Sequence, residues 1–207
     1  GVAQVIVSVD GTPRATFISS GSLKLADADG TYTIAFSAVD VLGNASAAQS
    51  LSVAVDNTGP AASAAVSPAP NAAGWNRTDV TVTWSGADAG AGLASCEAPA
   101  SVTAEGANET VSGACRDLLG NTGSGSAVVK LDRTAPSITA ARAPDGNAAG
   151  WNNTDVTVSF TCSDGLSGLA AACPAAALLG EGAAQAASAS ISDLAGNSAS
   201  ASESGIN

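Results

Sequence analysis

The sequence repeats itself at a fixed interval, and this constrains the fold more than any other feature. The segment Asp56–Pro60 returns as Asp132–Pro136, which gives the interval directly (132 − 56 = 76). Two further pairs of segments share the interval, namely 71–76 with 147–152 and 78–82 with 154–158. The motif Asp-x-x-Gly-Asn occurs three times, beginning at Asp40, Asp117 and Asp193. The chain is therefore a tandem array of repeats 56–131 and 132–207, preceded by a shorter segment, 1–55.

Short stretches of alternating apolar and polar residues predict that the repeats are built from β-strands. Residues 80–84 read Val-Thr-Val-Thr-Trp, and residues 156–160 read Val-Thr-Val-Ser-Phe. In the same way Tyr32, Ile34, Phe36 and Ala38 share one face of a predicted strand, with polar or small residues opposite. The Asp-x-x-Gly-Asn motifs have turn chemistry, because Asp accepts hydrogen bonds from nearby amides while Gly and Asn adopt positive φ. Several short strands with such turns, in repeats of this length, indicate a small β-sandwich.

Taken together, these motifs resemble the bacterial immunoglobulin-like (Big-type) tandem repeats of large surface adhesins and secreted proteins. The resemblance rests on the linker Asp-x-Thr-x-Pro, the segment Gly-Trp-Asn-x-Thr-Asp-Val-Thr-Val, a Gly-Leu-Ala segment and Asp-Leu-x-Gly-Asn. It covers both full repeats throughout, and it covers 1–55 as the second half of a repeat. It implies an all-β chain of tandem immunoglobulin-like β-sandwich domains arranged as an elongated rod. The predicted domains are 56–131 and 132–207, with 1–55 as the C-terminal part of a third.

Four cysteines fall into two repeats, with Cys96 and Cys115 in the first and Cys162 and Cys173 in the second. Four cysteines allow three pairings. We predict one disulfide in each repeat, because rigid repeats in series would hold cysteines of different repeats apart. Four buried free thiols are the alternative, whereas a zinc site is disfavoured because the sequence has no Cys-x-x-Cys pair. Disulfides would indicate an extracellular or cell-surface location.

Composition excludes several classes of function. The chain has no His, which removes the usual general base and the commonest transition-metal ligand. Its acidic side chains recur in turn and linker motifs, whereas an active site would occur once, so we predict a protein that is not an enzyme. The net charge of −11 disfavours nucleic acid as a partner. No apolar run approaches the roughly 20 residues of a membrane-spanning helix, so membrane insertion is not expected.

Calcium is the one cofactor that the sequence leaves open. Asp56 and Asp132 lie at the repeat junctions, and Asp117 and Asp193 begin turns, so their oxygen atoms are candidate ligands of a hard cation. Asp88 and Asp164 follow the second predicted strand of each repeat. The alternative is that each Asp caps its own turn through backbone hydrogen bonds. We favour turn capping, and no cofactor, at this point.

Trp75 and Trp151 are candidate ligand-binding residues. An exposed Trp can stack on a sugar ring, which would indicate a glycan-binding module. Both residues follow Ala-Ala-Gly and precede a strand in the same sequence context. We therefore favour packing against the end of a sandwich or the adjoining linker.

These observations favour a non-catalytic structural region, a stalk or spacer of a bacterial cell-surface or extracellular adhesin or fibre. Its partners would be neighbouring repeats of the same chain, with a host or surface ligand for the array. A glycan- or protein-binding module of a secreted protein is the competing function. Segment 1–55 lacks the first two strands of a repeat, which would leave apolar side chains such as Ile34 and Phe36 exposed. We expect a window cut from a longer array; the alternatives are disordered strands, or strands from another chain that join subunits into a fibre.

Overall fold

The computed structural model describes residues 1–18, 20–25 and 28–207. In these ranges the regular structure consists of β-strands and contains no helix. Accordingly, no helix that could span a membrane is found among the described residues. The prediction of an all-β fold is confirmed.

Segment 1–55 forms a four-stranded sheet. Its strands are β1 (Val2–Val9), β2 (Thr12–Phe17), β3 (Gly30–Asp40) and β4 (Gln49–Val55), in the order β2-β1-β3-β4. The predicted strand around Ile34 is β3, which pairs with β1 on one side and with β4 on the other. Ile34 is half-buried and Phe36 is exposed.

Repeat 56–131 forms two three-stranded sheets, in the orders β5-β6-β8 and β10-β9-β7. The strands are β5 (Ala61–Ser67), β6 (Val80–Ala87), β7 (Leu93–Cys96), β8 (Ala100–Val102), β9 (Gly106–Asp117) and β10 (Thr122–Leu131). Alternation places Val80, Val82 and Trp84 of β6 in the interior. Trp84 lies against Gly113 of β9 so closely that a Cβ at that glycine would be 2.2 Å from the indole ring. The two sheets therefore pack face to face at this point.

Repeat 132–207 has counterparts of five of these six strands; the segment equivalent to β7 forms only the isolated bridge between Leu169 and Asp193. The five strands are β11 (Ser137–Ala143), β12 (Val156–Ser163), β13 (Ala177–Leu179), β14 (Gln185–Ser192) and β15 (Ser198–Ile206). The sheets are β11-β12-β13 and β14-β15. The core brings Val156 and Val158 of one sheet together with Ala187 and Ile206 of the other, which makes the repeat a β-sandwich. Phe160 and Ala189 are the equivalents of Trp84 and Gly113 of the preceding repeat. The ring of Phe160 is smaller than that of Trp84, and Ala189 is larger than Gly113.

The described residues group into two compact units. One comprises Gly1–Ser63, Trp84–Glu97 and Gly113–Gly125, and the other comprises Ala64–Thr83, Ala98–Ser112 and Ser126–Asn207. The linker at Asp56 belongs to the first unit and the linker at Asp132 to the second. Each linker is thus packed within one unit together with parts of the segments on both of its sides. The domain boundaries at 56 and 132 stay predictions.

Candidate functional site

Each full repeat contains one disulfide. Cys96 is bonded to Cys115, and Cys162 is bonded to Cys173. These are the two pairs predicted from the sequence. Cys115 is fully buried and the other three are half-buried. In each repeat a strand that faces the core is covalently joined to a nearby segment, and no thiol among the described residues is free for chemistry.

The three Asp-x-x-Gly-Asn turns have closely similar hydrogen-bonding patterns. In turn 117–121, Oδ1 of Asp117 accepts from the backbone N–H of Leu119 at 2.9 Å and of Asn121 at 2.8 Å. Asn121 also donates its side-chain Nδ2 to Oδ2 of Asp117 at 2.7 Å. Burial by itself would raise the pKa of Asp117, but the hydrogen bonds from Asn121 and the turn amides lower it overall. The capping that we favoured from the sequence is therefore present.

Asp40 repeats this pattern in full. Asp193 keeps the bonds from Asn197, but its Oδ1 accepts its other backbone bond from Gly196 N at 2.7 Å. The side chain of Asn44 bonds to Oδ2 of Asp40 at 2.9 Å, and that of Asn197 bonds to Oδ2 of Asp193 at 2.8 Å. The hydrogen bonds from Asn44 hold the pKa of Asp40 below its ordinary value. Asp193 is buried whereas Asp40 lies on an exposed turn. The same local sequence thus forms the same turn in a buried and in an exposed setting.

The linker and turn aspartates also come together in space. Each repeat has three aspartates that can bring one carboxylate oxygen apiece to within 4.8 Å of the other two. We call these sets the aspartate triads, and they are Asp56, Asp88 and Asp117, and Asp132, Asp164 and Asp193. Two carboxylates of each triad are buried and the third is half-buried. From the sequence, Asp88 and Asp164 were placed only after a strand, although their offset (164 − 88 = 76) marks them as equivalent.

Backbone amides donate hydrogen bonds to the carboxylate oxygen atoms of each triad. In the second triad, Oδ1 of Asp132 accepts from Thr134 N at 3.0 Å, and Oδ2 accepts from Ser167 N at 2.9 Å. The backbone oxygen of Asp132 accepts from the side chain of Asn197 at 2.9 Å. The first triad has the same bonds, from Thr58, Ala91 and Asn121. Asn121 and Asn197 therefore tie each linker to the turn of the repeat that follows it.

Turn capping explains the hydrogen bonds of each aspartate, but it does not explain why three carboxylates lie so close together. Three carboxylates this close repel one another unless a proton or a cation reduces the charge. An all-oxygen set with a formal charge of −3 suits a hard cation such as calcium better than a transition metal. The sequence leaves calcium binding at Asp56, Asp117, Asp132 and Asp193 open as the alternative to turn capping, and the triads are the places where such an ion would bind.

A second set of contacts, not anticipated from the sequence, joins each linker to the segment that precedes it. Asp29 accepts hydrogen bonds from the backbone of Asn57 at 2.6 Å and from the hydroxyl of Thr58. Glu105 accepts from the backbone of Arg133 at 2.6 Å and from the hydroxyl of Thr134 at 3.0 Å. We call these two clusters the first and the second joint. The hydrogen bond from Thr58, followed by that from the Asn57 backbone, lowers the pKa of Asp29.

The second joint has an additional ionic contact. The guanidinium of Arg133 lies 2.6 Å from the carboxylate of Asp79 and donates a further hydrogen bond to the backbone oxygen of Thr103. The linker acids Asp29 and Glu105 are separated by the repeat interval (105 − 29 = 76), which is the signal that could have found them. The signal is weak, because the acid changes from Asp to Glu and only the flanking alanine and glycine are shared around it.

Trp75 and Trp151 differ in exposure although their surrounding sequences differ only at Arg77, which is Asn153 in the second repeat. Trp75 is 7% exposed, with Nζ of Lys130 lying 5.8 Å from the centroid of its ring. Trp151 is 54% exposed and lines a groove of about 520 Å³. The packed position that we favoured describes Trp75, whereas Trp151 is open on the surface of its repeat.

No known family model matches the chain, and no curated protein matches it. The solved structures that resemble it include fibronectin(III)-like modules of Clostridium thermocellum CbhA, a 1.5-MDa bacterial ice-binding adhesin studied for host cell surface retention, and a tetra-tandem repeat in the extending region of a large adhesion protein. Their identities are 16%, 14% and 18%, and their TM-scores are 0.33, 0.43 and 0.31. The matches cover 64%, 100% and 99% of this chain, and 80%, 87% and 67% of the other chains. These similarities are with bacterial adhesin and fibronectin-III-like repeat structures, and at such scores they carry no argument about function.

Proposed function

We propose that this chain is a non-catalytic stalk or spacer region of a bacterial cell-surface or extracellular protein involved in adhesion or fibre formation. The observation that carries this proposal is the bonding of each linker on both sides. The second linker is held by Glu105 of the preceding repeat, and by Ser167 and Asn197 of the following repeat. Asp29, Ala91 and Asn121 hold the first linker in the same way. Linkers of this kind resist bending, as a spacer requires.

An extracellular location is supported by the chemistry of the small cores. Each repeat buries few large side chains and carries one disulfide. A disulfide that closes a short loop stabilises a small domain by about 2–4 kcal/mol, and such bonds persist in oxidising compartments. The proposed location is therefore outside the cell, where the acidic surface would also keep an array of repeats soluble.

A glycan- or protein-binding module is the second candidate, and one observation favours it. Trp151 is exposed beside a groove, as a ring that stacks on a sugar would be. Trp75, its equivalent, is buried, so of these two copies of the motif only Trp151 presents its ring to a ligand. This makes binding the weaker of the two functions.

Small-angle scattering of the chain tests the spacer function. The variant Glu105→Ala with Arg133→Ala removes the second joint, while Glu109→Ala removes an exposed acid of β9 and serves as the matched control. The joint variant is expected to show a broader distribution of interatomic distances than the wild type, with the control unchanged. An identical profile for all three proteins would show that the joints do not stiffen the chain and would refute the proposal.

A further inference from the structure

Repeat 132–207 has four side chains whose equivalents, one interval earlier, lie on the loops of repeat 56–131 that contact repeat 132–207. They are Asn147, Trp151, Asp155 and Glu181, which correspond to Asn71, Trp75, Asp79 and Glu105. We call the four residues of repeat 132–207 the open face. Three of them, Trp151, Asp155 and Glu181, line one groove of about 520 Å³.

The acidic counterparts of the open face bind the next linker. Glu105 accepts hydrogen bonds from Arg133 and Thr134, and Asp79 forms an ion pair with Arg133. Asp155 and Glu181 are exposed, and neither forms a hydrogen bond or ion pair with any residue that the structure describes. The open face thus has the equivalents of both acids that bind the second linker, but no linker among the described residues is bound to them.

The other two counterparts meet the next turn. The side-chain Nδ2 of Asn71 donates to the backbone oxygen atoms of Leu194 at 2.8 Å and Ala195 at 3.2 Å. Arg77, close by, donates to the backbone oxygen of Gly196 at 3.2 Å. Ala195 is only 4% exposed at this contact. The turn of repeat 132–207 is therefore seated against the loop that carries Trp75.

The loop of the open face is already formed for the same contact. Oδ1 of Asn71 accepts from Trp75 N at 3.0 Å, and Oδ1 of Asn147 accepts from Trp151 N at 3.1 Å. In both loops the glycine before the tryptophan has a positive φ, 82° at Gly74 and 81° at Gly150. The loops differ in their surroundings, because Nδ2 of Asn147 donates to no group within the described part of the chain. Exposure of Trp151 is therefore not caused by a different local conformation.

The turns give the same result from the opposite side. Segment 1–55 has no counterpart of the Trp75 loop, and the turn that follows it in repeat 56–131 leaves Leu119 61% exposed. Ala195, at the same position of turn 193–197, is buried where a Trp75 loop precedes it. The buried Ala195 of turn 193–197 and the buried Trp75 thus occur together. Among the described residues, Leu119, which has no such loop against it, and Trp151, which has no such turn against it, are both exposed.

We propose that the open face binds another repeat of this kind, which presents its Asp-x-x-Gly-Asn turn to Trp151 and its linker to Asp155 and Glu181. The two acids accept hydrogen bonds from the linker amide, the linker hydroxyl and any basic side chain there. The side-chain Nδ2 of Asn147 donates to the carbonyl oxygen atoms of the turn. A linker raises the effective concentration of the turn at this face, so a small contact area is sufficient. This inference rests on the proposed spacer function, because it assigns the surface through which one more spacer unit is added.

Tryptophan accessibility tests the proposal in the full chain. The chain has three tryptophans, of which Trp75 and Trp84 are buried and Trp151 is exposed. We would append one further copy of residues 132–207 to the chain, with the tryptophan of the appended copy replaced by phenylalanine. Acrylamide quenching is expected to lose the accessible component that Trp151 contributes to the unextended chain. A Trp151 that is as accessible in the extended chain as in the unextended chain overturns the proposal.

A matched control blocks the turn of the appended copy by placing Asp at the position equivalent to Ala195. The proposal expects Trp151 to become accessible again, and shielding that persists would overturn it. In the unextended chain, Ala195→Asp should expose Trp75, whereas Lys130→Ala should leave Trp75 shielded. If instead Lys130→Ala exposes Trp75 and Ala195→Asp does not, Lys130 rather than the turn covers the ring, and the proposal is overturned. Since the scattering test of the joints does not involve the open face, failure here would leave the spacer function standing.

Discussion

Removal of the side chain of Asn197 should weaken repeat 132–207 by a predictable amount. Its Nδ2 donates to the buried carboxylate of Asp193 at 2.8 Å and to the backbone oxygen of Asp132 at 2.9 Å. A hydrogen bond to a charged group contributes about 1.5–3 kcal/mol and a neutral one about 0.5–1.5 kcal/mol. Asn197→Ala is therefore expected to lower the free energy of opening of this repeat by about 2–4 kcal/mol.

Native-state hydrogen exchange is the appropriate assay, because a chain of several repeats does not unfold in a single two-state transition. Amides of β14 and β15 in Asn197→Ala should exchange roughly 30- to 700-fold faster than in the wild type, which is the same free energy expressed as a ratio. Amides of β1 and β3 should keep their rates, because they belong to the other compact unit.

Asn44→Ala is the matched control for this experiment. Asn44 makes the same bond to Asp40 at 2.9 Å, but it lies in an exposed turn and no linker hydrogen bond from its side chain is seen in the described residues. Water can replace the lost bond there, so the effect on β3 and β4 should be clearly smaller. If Asn44→Ala and Asn197→Ala accelerate exchange equally in their own segments, the bond to the linker contributes nothing and the reasoning about the linkers is wrong.

Three further predictions concern the core, the triads and the turns. Val158→Ala removes two methyl groups at a fully buried position and should lower the free energy of opening of its repeat by about 2 kcal/mol. Val128→Ala at an exposed position should change that of its own repeat little, and equal effects in native-state hydrogen exchange would contradict the described core. Millimolar calcium should raise the melting temperature of the wild type but not that of the double variant Asp56→Asn with Asp132→Asn. If the wild type melts identically in calcium and in chelator, turn capping is the sole role of the triads. The pKa values of Asp29, Asp40 and Asp117 lie below the ordinary 3.8, so the stability that their ionised forms provide is complete above pH 3.8 and is lost as the pH falls through the lower folded values. Urea midpoints measured against pH should fall in that acidic window, less steeply in Asn121→Ala, and a wild-type midpoint that rises there would contradict this sign.

The parts of the fold that depend on local pattern could be predicted from the sequence. Alternation in 80–84 and 156–160 identifies β6 and β12, because an apolar residue at every second position suits a strand with one buried face. Turns at Asp117 and Asp193 follow from the hydrogen-bonding capacity of Asp together with the conformational freedom of Gly and Asn. The pairing of cysteines within each repeat follows from the repeat boundaries.

The parts that depend on a neighbouring repeat could not be predicted in the same way. Trp75 and Trp151 lie in the same loop conformation, and from 71 to 82 their sequences differ only at Arg77, which is Asn153 in the second repeat, so the apolar pattern does not distinguish a buried ring from an exposed one. The third member of each triad, Asp88 or Asp164, comes close to the others only when the linker folds back on its repeat. Linker acids such as Glu105 lie 28 positions before their partners in irregular loops, where no hydrophobic period reports on contacts.

The two halves of each joint are encoded in different repeats, and this has a consequence for how such a gene can change. The acid that holds a linker comes from the upstream repeat, and the linker residues that it holds begin the downstream repeat. A recombination event that inserts or deletes one whole interval of codons in register leaves every acid with a linker 28 positions later. The number of repeats can therefore change in one step without compensating mutations, whereas an insertion of another length between an acid and its linker separates the two. Selection on length would act on whole cassettes, and the joints would keep the boundaries of those cassettes fixed.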